Sequence, residues 1–219
     1  MASKALLIQK GASKTENDIK FDGLSLALIV VSFLISMYLL TRGVNELGDA
    51  ADLIFRQTLF TINIGILGIL LAGATTGRLP KIDNVLTYKE SSEITIYFIT
   101  GLVVVVGIQA VVTNLLVPSS LLSIAETAVG KALLGTIAIY EELFFRYFLL
   151  RAIEVSTGNS WVSIIVSSIV FVAYHLAVYG ARPDLLLWVG LAGLALGYIT
   201  VRTRRITPAL LVHAGVNLL

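Results

Sequence analysis

Hydrophobic and polar positions alternate along this chain in long blocks, not at short period. Seven apolar stretches stand out, approximately 23–41, 57–77, 94–117, 124–150, 160–179, 185–201 and 206–219. A helix needs about 20 apolar residues to cross the hydrocarbon core of a bilayer. The first six stretches reach that length, some with flanking residues; the seventh is shorter. Backbone groups in lipid have no water to bond, so each stretch is expected to be helical. The pattern predicts an all-α fold, a polytopic transmembrane helical bundle of about seven membrane segments. Composition agrees: 57% of residues are hydrophobic and 14% charged, with a mean hydropathy of +0.90. An ordinary soluble domain carries more charge and fewer long apolar runs.

Three regions follow from the blocks. Residues 1–22 read as a polar cytoplasmic N-terminal tail, 23–117 as three N-terminal transmembrane helices, and 124–219 as a C-terminal helical core. The run Leu24–Leu40 could mimic a signal peptide, but bulky Tyr38–Arg42 offers no small-x-small site, so it reads as a retained span. If alternate loops share a side, eleven Lys and Arg fall on one side (Lys4, Lys10, Lys14, Lys20, Arg78, Lys81, Lys89, Arg151, Arg202, Arg204, Arg205). Four fall on the other: Arg42, Arg56, Lys131 and Arg182. The excess predicts a cytoplasmic N-terminus. Arg202, Arg204 and Arg205 are expected to face anionic lipid, and Arg151 and Glu154 to be solvated at the membrane edge. Gly190, Gly193 and Gly197 are spaced for close helix packing. The chain has no cysteine, which excludes disulfides and thiolate metal sites. No basic patch is interleaved with aromatics, so nucleic acid is not an expected partner; the lipid bilayer is.

The most unusual block is Tyr140-Glu141-Glu142-Leu143-Phe144-Phe145-Arg146, because it puts three charges inside an apolar stretch. Each such group costs about 2.5–3.5 kcal/mol on insertion scales and rarely persists without a role. Residues i and i+4 share a helix face, so Glu142 can pair with Arg146. Glu141 points about 100° away at 3.6 residues per turn and is left without a local partner. The chain's two histidines, His175 and His213, also lie in apolar stretches. Phe171 and His175 share a face, as do His213 and Asn217. A carboxylate and a histidine holding one water form a general base. An imidazole and an amide aimed at one point suit an oxyanion hole, or could bond each other or cap a helix. At about 1.5 Å rise per residue, Glu141, His175, His213 and Asn217 can all reach the middle of the membrane.

Glu141-Glu142-x-x-x-Arg146, then Phe171-x-x-x-His175, then His213-x-x-x-Asn217, resembles the three motifs of the CPBP family. These are intramembrane proteases related to CAAX prenyl endopeptidases of Rce1 type and to bacteriocin-immunity (Abi) proteins. The resemblance runs from about Ala125 to the last residue. It implies that Glu141 and His175 activate a water for attack on a peptide bond. It implies that His213 and Asn217 stabilise the oxyanion, with Glu142, Arg146 and Phe171 in support. The family has often been called a metalloprotease; Glu141 with His175 needs no metal, and no HExxH pair is present. Zinc held by Glu141, His175 and His213 is the minority alternative. The chain stops two residues after Asn217, so that helix is expected to fray.

The expected activity is hydrolysis of a peptide bond in a membrane-anchored or lipid-modified protein, CAAX-like prenylated proteins included, with no cofactor required. Two other classes compete. A non-enzymatic immunity or scaffold protein of the same fold would keep its phenotype after Glu141→Ala and His175→Ala. A proton-coupled transporter would need a polar path to both sides of the membrane.

Overall fold

A computed structural model describes residues 19–42, 51–76, 82–83, 87–116 and 128–219. Eight α-helices and one π-helical segment appear in that set: α1 (Gly23–Arg42), α2 (Ala51–Thr76), α3 (Tyr88–Leu116), α4 (Ala128–Glu142), the π-helix Leu143–Leu150, α5 (Arg151–Thr157), α6 (Ser160–Tyr179), α7 (Pro183–Thr203) and α8 (Thr207–Leu218). α4, the π-helix and α5 follow one another without a break, so the helices form seven rods, one for each apolar stretch. The molecule is an all-α bundle. Its only strands among the described residues are the two-residue β1 (Phe21–Asp22) and β2 (Ile82–Asp83), paired in parallel.

Local chemistry sets the helix ends. Thr87 and Glu90 form a reciprocal capping box at the start of α3: Thr87 N donates to Glu90 Oε2 at 2.9 Å, and Glu90 N to Thr87 Oγ1 at 3.3 Å. Asn159 caps α6, accepting from the backbone of Trp161 and Val162. Gly158, at φ +66°, supplies the left-handed turn between α5 and α6. Proline stands at the first turn of both α7 and α8, where its missing N–H costs nothing.

Among the described residues, three helices are long and apolar enough to cross a membrane by length and composition: Arg56–Ala74, Tyr88–Val112 and Pro183–Thr203. Their outer faces carry exposed apolar side chains, among them Leu70, Ile96, Val103 and Leu187. Lipid, not water, matches such a surface, and the chain reads as an integral membrane protein.

α4 lies at the centre, packed against α1, α2 and α8. α2 lies flush on α4 and the π-helix because it presents glycine at the contacts. A Cβ on Gly65 would stand 2.8 Å from the Tyr140 carbonyl oxygen, and one on Gly68 would stand 2.9 Å from that of Leu143. Gly190, Gly193 and Gly197 of α7 face Val172, Ser168 and Ile164 of α6, which is the packing role their spacing suggests.

One end of the bundle is tied by polar contacts that correct the expectations for Arg204, Arg205 and Glu154; residues 1–18 of the expected N-terminal tail lie outside the described residues. Residues 19–22 are built into the fold: Lys20 N donates to Arg204 O at 2.7 Å, and Ile206 N donates to Lys20 O at 3.3 Å. Asp22 is buried and accepts from Ser25 N at 2.9 Å and from Thr207 Oγ1 at 2.6 Å. Arg205 is 4% exposed and pairs with Asp22 and Glu90, so it does not face lipid. Arg204 is bonded to Glu154 at 2.7 Å, so Glu154 is not simply solvated. Arg202 is exposed. In each corrected case a partner from a remote helix, invisible to local spacing, replaces water or a headgroup. At the other end, Lys131 Nζ donates to Leu219 O at 3.0 Å and Asn217 Nδ2 to Leu134 O at 3.0 Å. The end of α8 is therefore tied to α4 instead of frayed.

Candidate functional site

Three rods bring the singled-out residues to one cleft. α4 supplies Glu141, α6 supplies Phe171 and His175, and α8 supplies His213 and Asn217. The cleft is also lined by Gln57 of α2 and Trp188 of α7. Apolar Val105, Val189 and Leu196 make up much of the remaining wall.

Glu141 is 2% exposed, and its Oε1 finds no hydrogen-bond partner among the described residues. Its Oε2 lies 3.9 Å from His175 Nε2 and 3.8 Å from His213 Nε2. Both distances are too long for a direct hydrogen bond and short enough for one water to touch both groups.

The backbone decides the tautomer of His175. Its Nδ1 lies 2.9 Å from the Phe171 carbonyl oxygen. A carbonyl only accepts, so Nδ1 carries the hydrogen, and the neutral ring turns a lone pair on Nε2 towards Glu141. The aromatic shell keeps the ring in place. Phe171 meets the imidazole edge-on at 4.3 Å between centroids, and Tyr174 meets it at 5.1 Å. The Tyr174 hydroxyl in turn shares a hydrogen bond with Thr61 of α2 at 3.2 Å.

Glu142 does more than pair within its own helix. It forms the expected ion pair with Arg146 at 3.3 Å, and its Oε1 also lies 2.8 Å from His213 Nδ1. The ionised carboxylate only accepts, so His213 donates from Nδ1 and presents Nε2 to the cleft. His213 and Asn217 do share the cleft, but each is already engaged, one with Glu142 and the other with Leu134 O. Asn217 keeps a second amide hydrogen. His213 Nε2 donates only when both ring nitrogens are protonated.

Arg146 is fully buried and joins three elements. It sits on the π-helix, pairs with Glu142, lies 4.3 Å over the Phe171 ring, and donates to Gly193 O at 3.3 Å. A guanidinium over an aromatic face is attracted by the ring quadrupole. The π-helix begins directly after Glu142. Such segments are rare and occur often at functional sites, where the wider turn re-aims side chains. Neither it nor Trp188 and Tyr174 was anticipated. Leu143–Leu150 has the composition of any apolar α-helix, and single aromatics in apolar stretches read as packing.

The two imidazole Nε2 atoms and Glu141 Oε2 are the zinc ligands of the minority reading. Among the described residues, no three His, Asp or Glu groups are arranged to hold a metal ion.

Residues 123–219 match the family model described as type II CAAX prenyl endopeptidase Rce1-like, the stretch that carries all three motifs. No curated protein and no solved structure matches the chain.

Proposed function

We propose that this chain, Rce1-like over residues 123–219, is an intramembrane endopeptidase. Its substrate would be a membrane-anchored or lipid-modified protein, with CAAX-like prenylated proteins as the first class to test. The observation that carries the reading is the convergence of Glu141, His175, His213 and Asn217 on one cleft.

A water between Glu141 Oε2 and His175 Nε2 would meet two acceptors. It gives one proton to this pair as its oxygen attacks the carbonyl carbon of the scissile peptide. Negative charge then develops on the former carbonyl oxygen. The second Asn217 amide hydrogen is a neutral donor for it, and His213 Nε2 is a donor in the imidazolium form. Collapse of the tetrahedral intermediate breaks the C–N bond, and the leaving nitrogen takes back the proton held by the pair. Glu142 and Arg146 orient His213 and the π-helix and do not touch the substrate. Residues 124–219 form the catalytic core in this reading, and 23–117 the helices that flank it.

The mechanism requires no metal, because the base is already complete in Glu141 and His175. The test is cleavage of an internally quenched farnesylated peptide ending in a CAAX sequence, by purified protein in detergent. General-base catalysis contributes about 10²–10⁴-fold, so Glu141→Gln is expected to lose at least that much while melting like the wild type. Full activity in that variant would sink the mechanism. Treatment with 1,10-phenanthroline is expected to leave the rate unchanged; a loss restored by zinc would move the metal reading ahead. No cleavage by the wild type, with a phenotype that survives Glu141→Ala, would favour the non-enzymatic protein.

A further inference from the structure

Buried polar groups without partners are costly, and each one raises the question of what completes it. Among the described residues, several buried side-chain atoms find no hydrogen-bond partner. Two of them belong to residues that line the cleft: Glu141 Oε1 and Trp188 Nε1. The first belongs to a motif residue whose other oxygen, Oε2, faces His175 in the proposed base. The second belongs to none of the three motifs.

Trp188 lies on α7, a wall of the cleft that supplies no motif residue. Its indole packs against two apolar clusters, one around Leu196 and Val212 and one around Phe145, Phe171 and Val189. Packing against both clusters restricts the ring. An indole N–H only donates, so its complement must be an acceptor.

The motif donors facing the same space are largely committed. His213 Nδ1 and one Asn217 hydrogen are spent on Glu142 and Leu134 O. A peptide bound for cleavage presents main-chain carbonyls, and each one in a poorly hydrated cleft needs a donor. We infer that Trp188 Nε1 donates to a main-chain carbonyl of the bound substrate, beside the scissile bond, and so fixes the extended segment against α7. The inference rests on the endopeptidase reading.

The interaction is made in the ground state as well as the transition state, so its loss acts on KM. One neutral hydrogen bond is worth roughly 3- to 10-fold. Trp188→Phe keeps an aromatic ring and removes the donor. Steady-state cleavage of the farnesylated CAAX peptide is expected to show KM raised roughly 3- to 10-fold with kcat unchanged. The chain has two tryptophans, and the other, Trp161, stacks on Tyr198 at the exposed face of α6. Glu141→Gln combined with Trp161→Phe therefore leaves Trp188 as the sole reporter in a protein that holds peptide uncut. Its emission is expected to change saturably as the same peptide is added. An unchanged KM in Trp188→Phe, or an emission that does not respond, would overturn the inference while wild-type cleavage leaves the protease reading standing. If the wild type does not cleave at all, both fall together.

Discussion

Glu141 and Glu142 are neighbours in sequence with opposite environments, and their amide variants should therefore differ. Each has one oxygen with no hydrogen-bond partner among the described residues, but the histidines facing Glu141 stand 3.9 and 3.8 Å away, so Glu141→Gln should leave the melting temperature near that of the wild type. Glu142 holds Arg146 and His213 at once and is fully buried. Removing one partner of a buried ion pair costs about 3–5 kcal/mol, because the other charge stays behind. Glu142→Gln should lower the melting temperature clearly and slow turnover about 10- to 100-fold, by analogy with losses at the partners that orient metal-ligating histidines. Thermal unfolding beside the cleavage assay measures both. Equal melting of the two variants would remove Glu142 from its orienting role. The Glu142–Arg146 pair was legible because i and i+4 share a helix face. The bond from Glu142 to His213 was not, since it joins residues 71 apart whose helices meet only in the fold.

At the scale of elements, the seven apolar stretches foretold seven rods, because burial in lipid demands long continuous helices whatever the details of packing. What block patterning could not give is how closely the rods approach. Gly65 decides the approach of α2 to α4. Alanine there would gain about 1 kcal/mol of helix propensity over glycine. It would also put a methyl 2.7 Å from the Tyr140 ring and 2.8 Å from the Tyr140 backbone oxygen. The ring can rotate away, but the carbonyl belongs to a helix and cannot. Overpacking of this kind costs about 1–3 kcal/mol, so the clash outweighs the propensity. Gly65→Ala is expected to melt several degrees below the wild type and to cut peptide more slowly, because Tyr140 adjoins Glu141. By contrast, Gly107→Ala meets open space and should be neutral or slightly stabilising. If both substitutions behave alike, the close approach of α2 is not what holds α4 in place.

At the scale of the whole molecule, the arginines near the end of α7 show what charge counting captures and what it misses. The excess of basic residues on alternate loops predicts which side of the bundle is cytoplasmic. It could not show that Arg204 and Arg205 spend their charge on Glu154, Asp22 and Glu90. These pairs, with the Lys20 backbone bonds and the β1–β2 pairing, gather the start of α1, the start of α3, the α5–α6 turn and the α7–α8 turn at one end. That gathering is what a chain crossing back and forth requires, and the basic excess would set this end in the cytoplasm. The absence of cysteine makes the orientation directly measurable. Ser156, on the α5–α6 side, and Ala181, in the turn between α6 and α7, are both exposed. A membrane-impermeant maleimide added to inverted vesicles is expected to label Ser156→Cys and spare Ala181→Cys, and added to intact cells to do the reverse. Labelling of both variants from one side would mean that α6 does not cross the bilayer. The inverse pattern would mean that the pairs at the tied end neutralise enough charge for the basic excess to lose its hold on orientation.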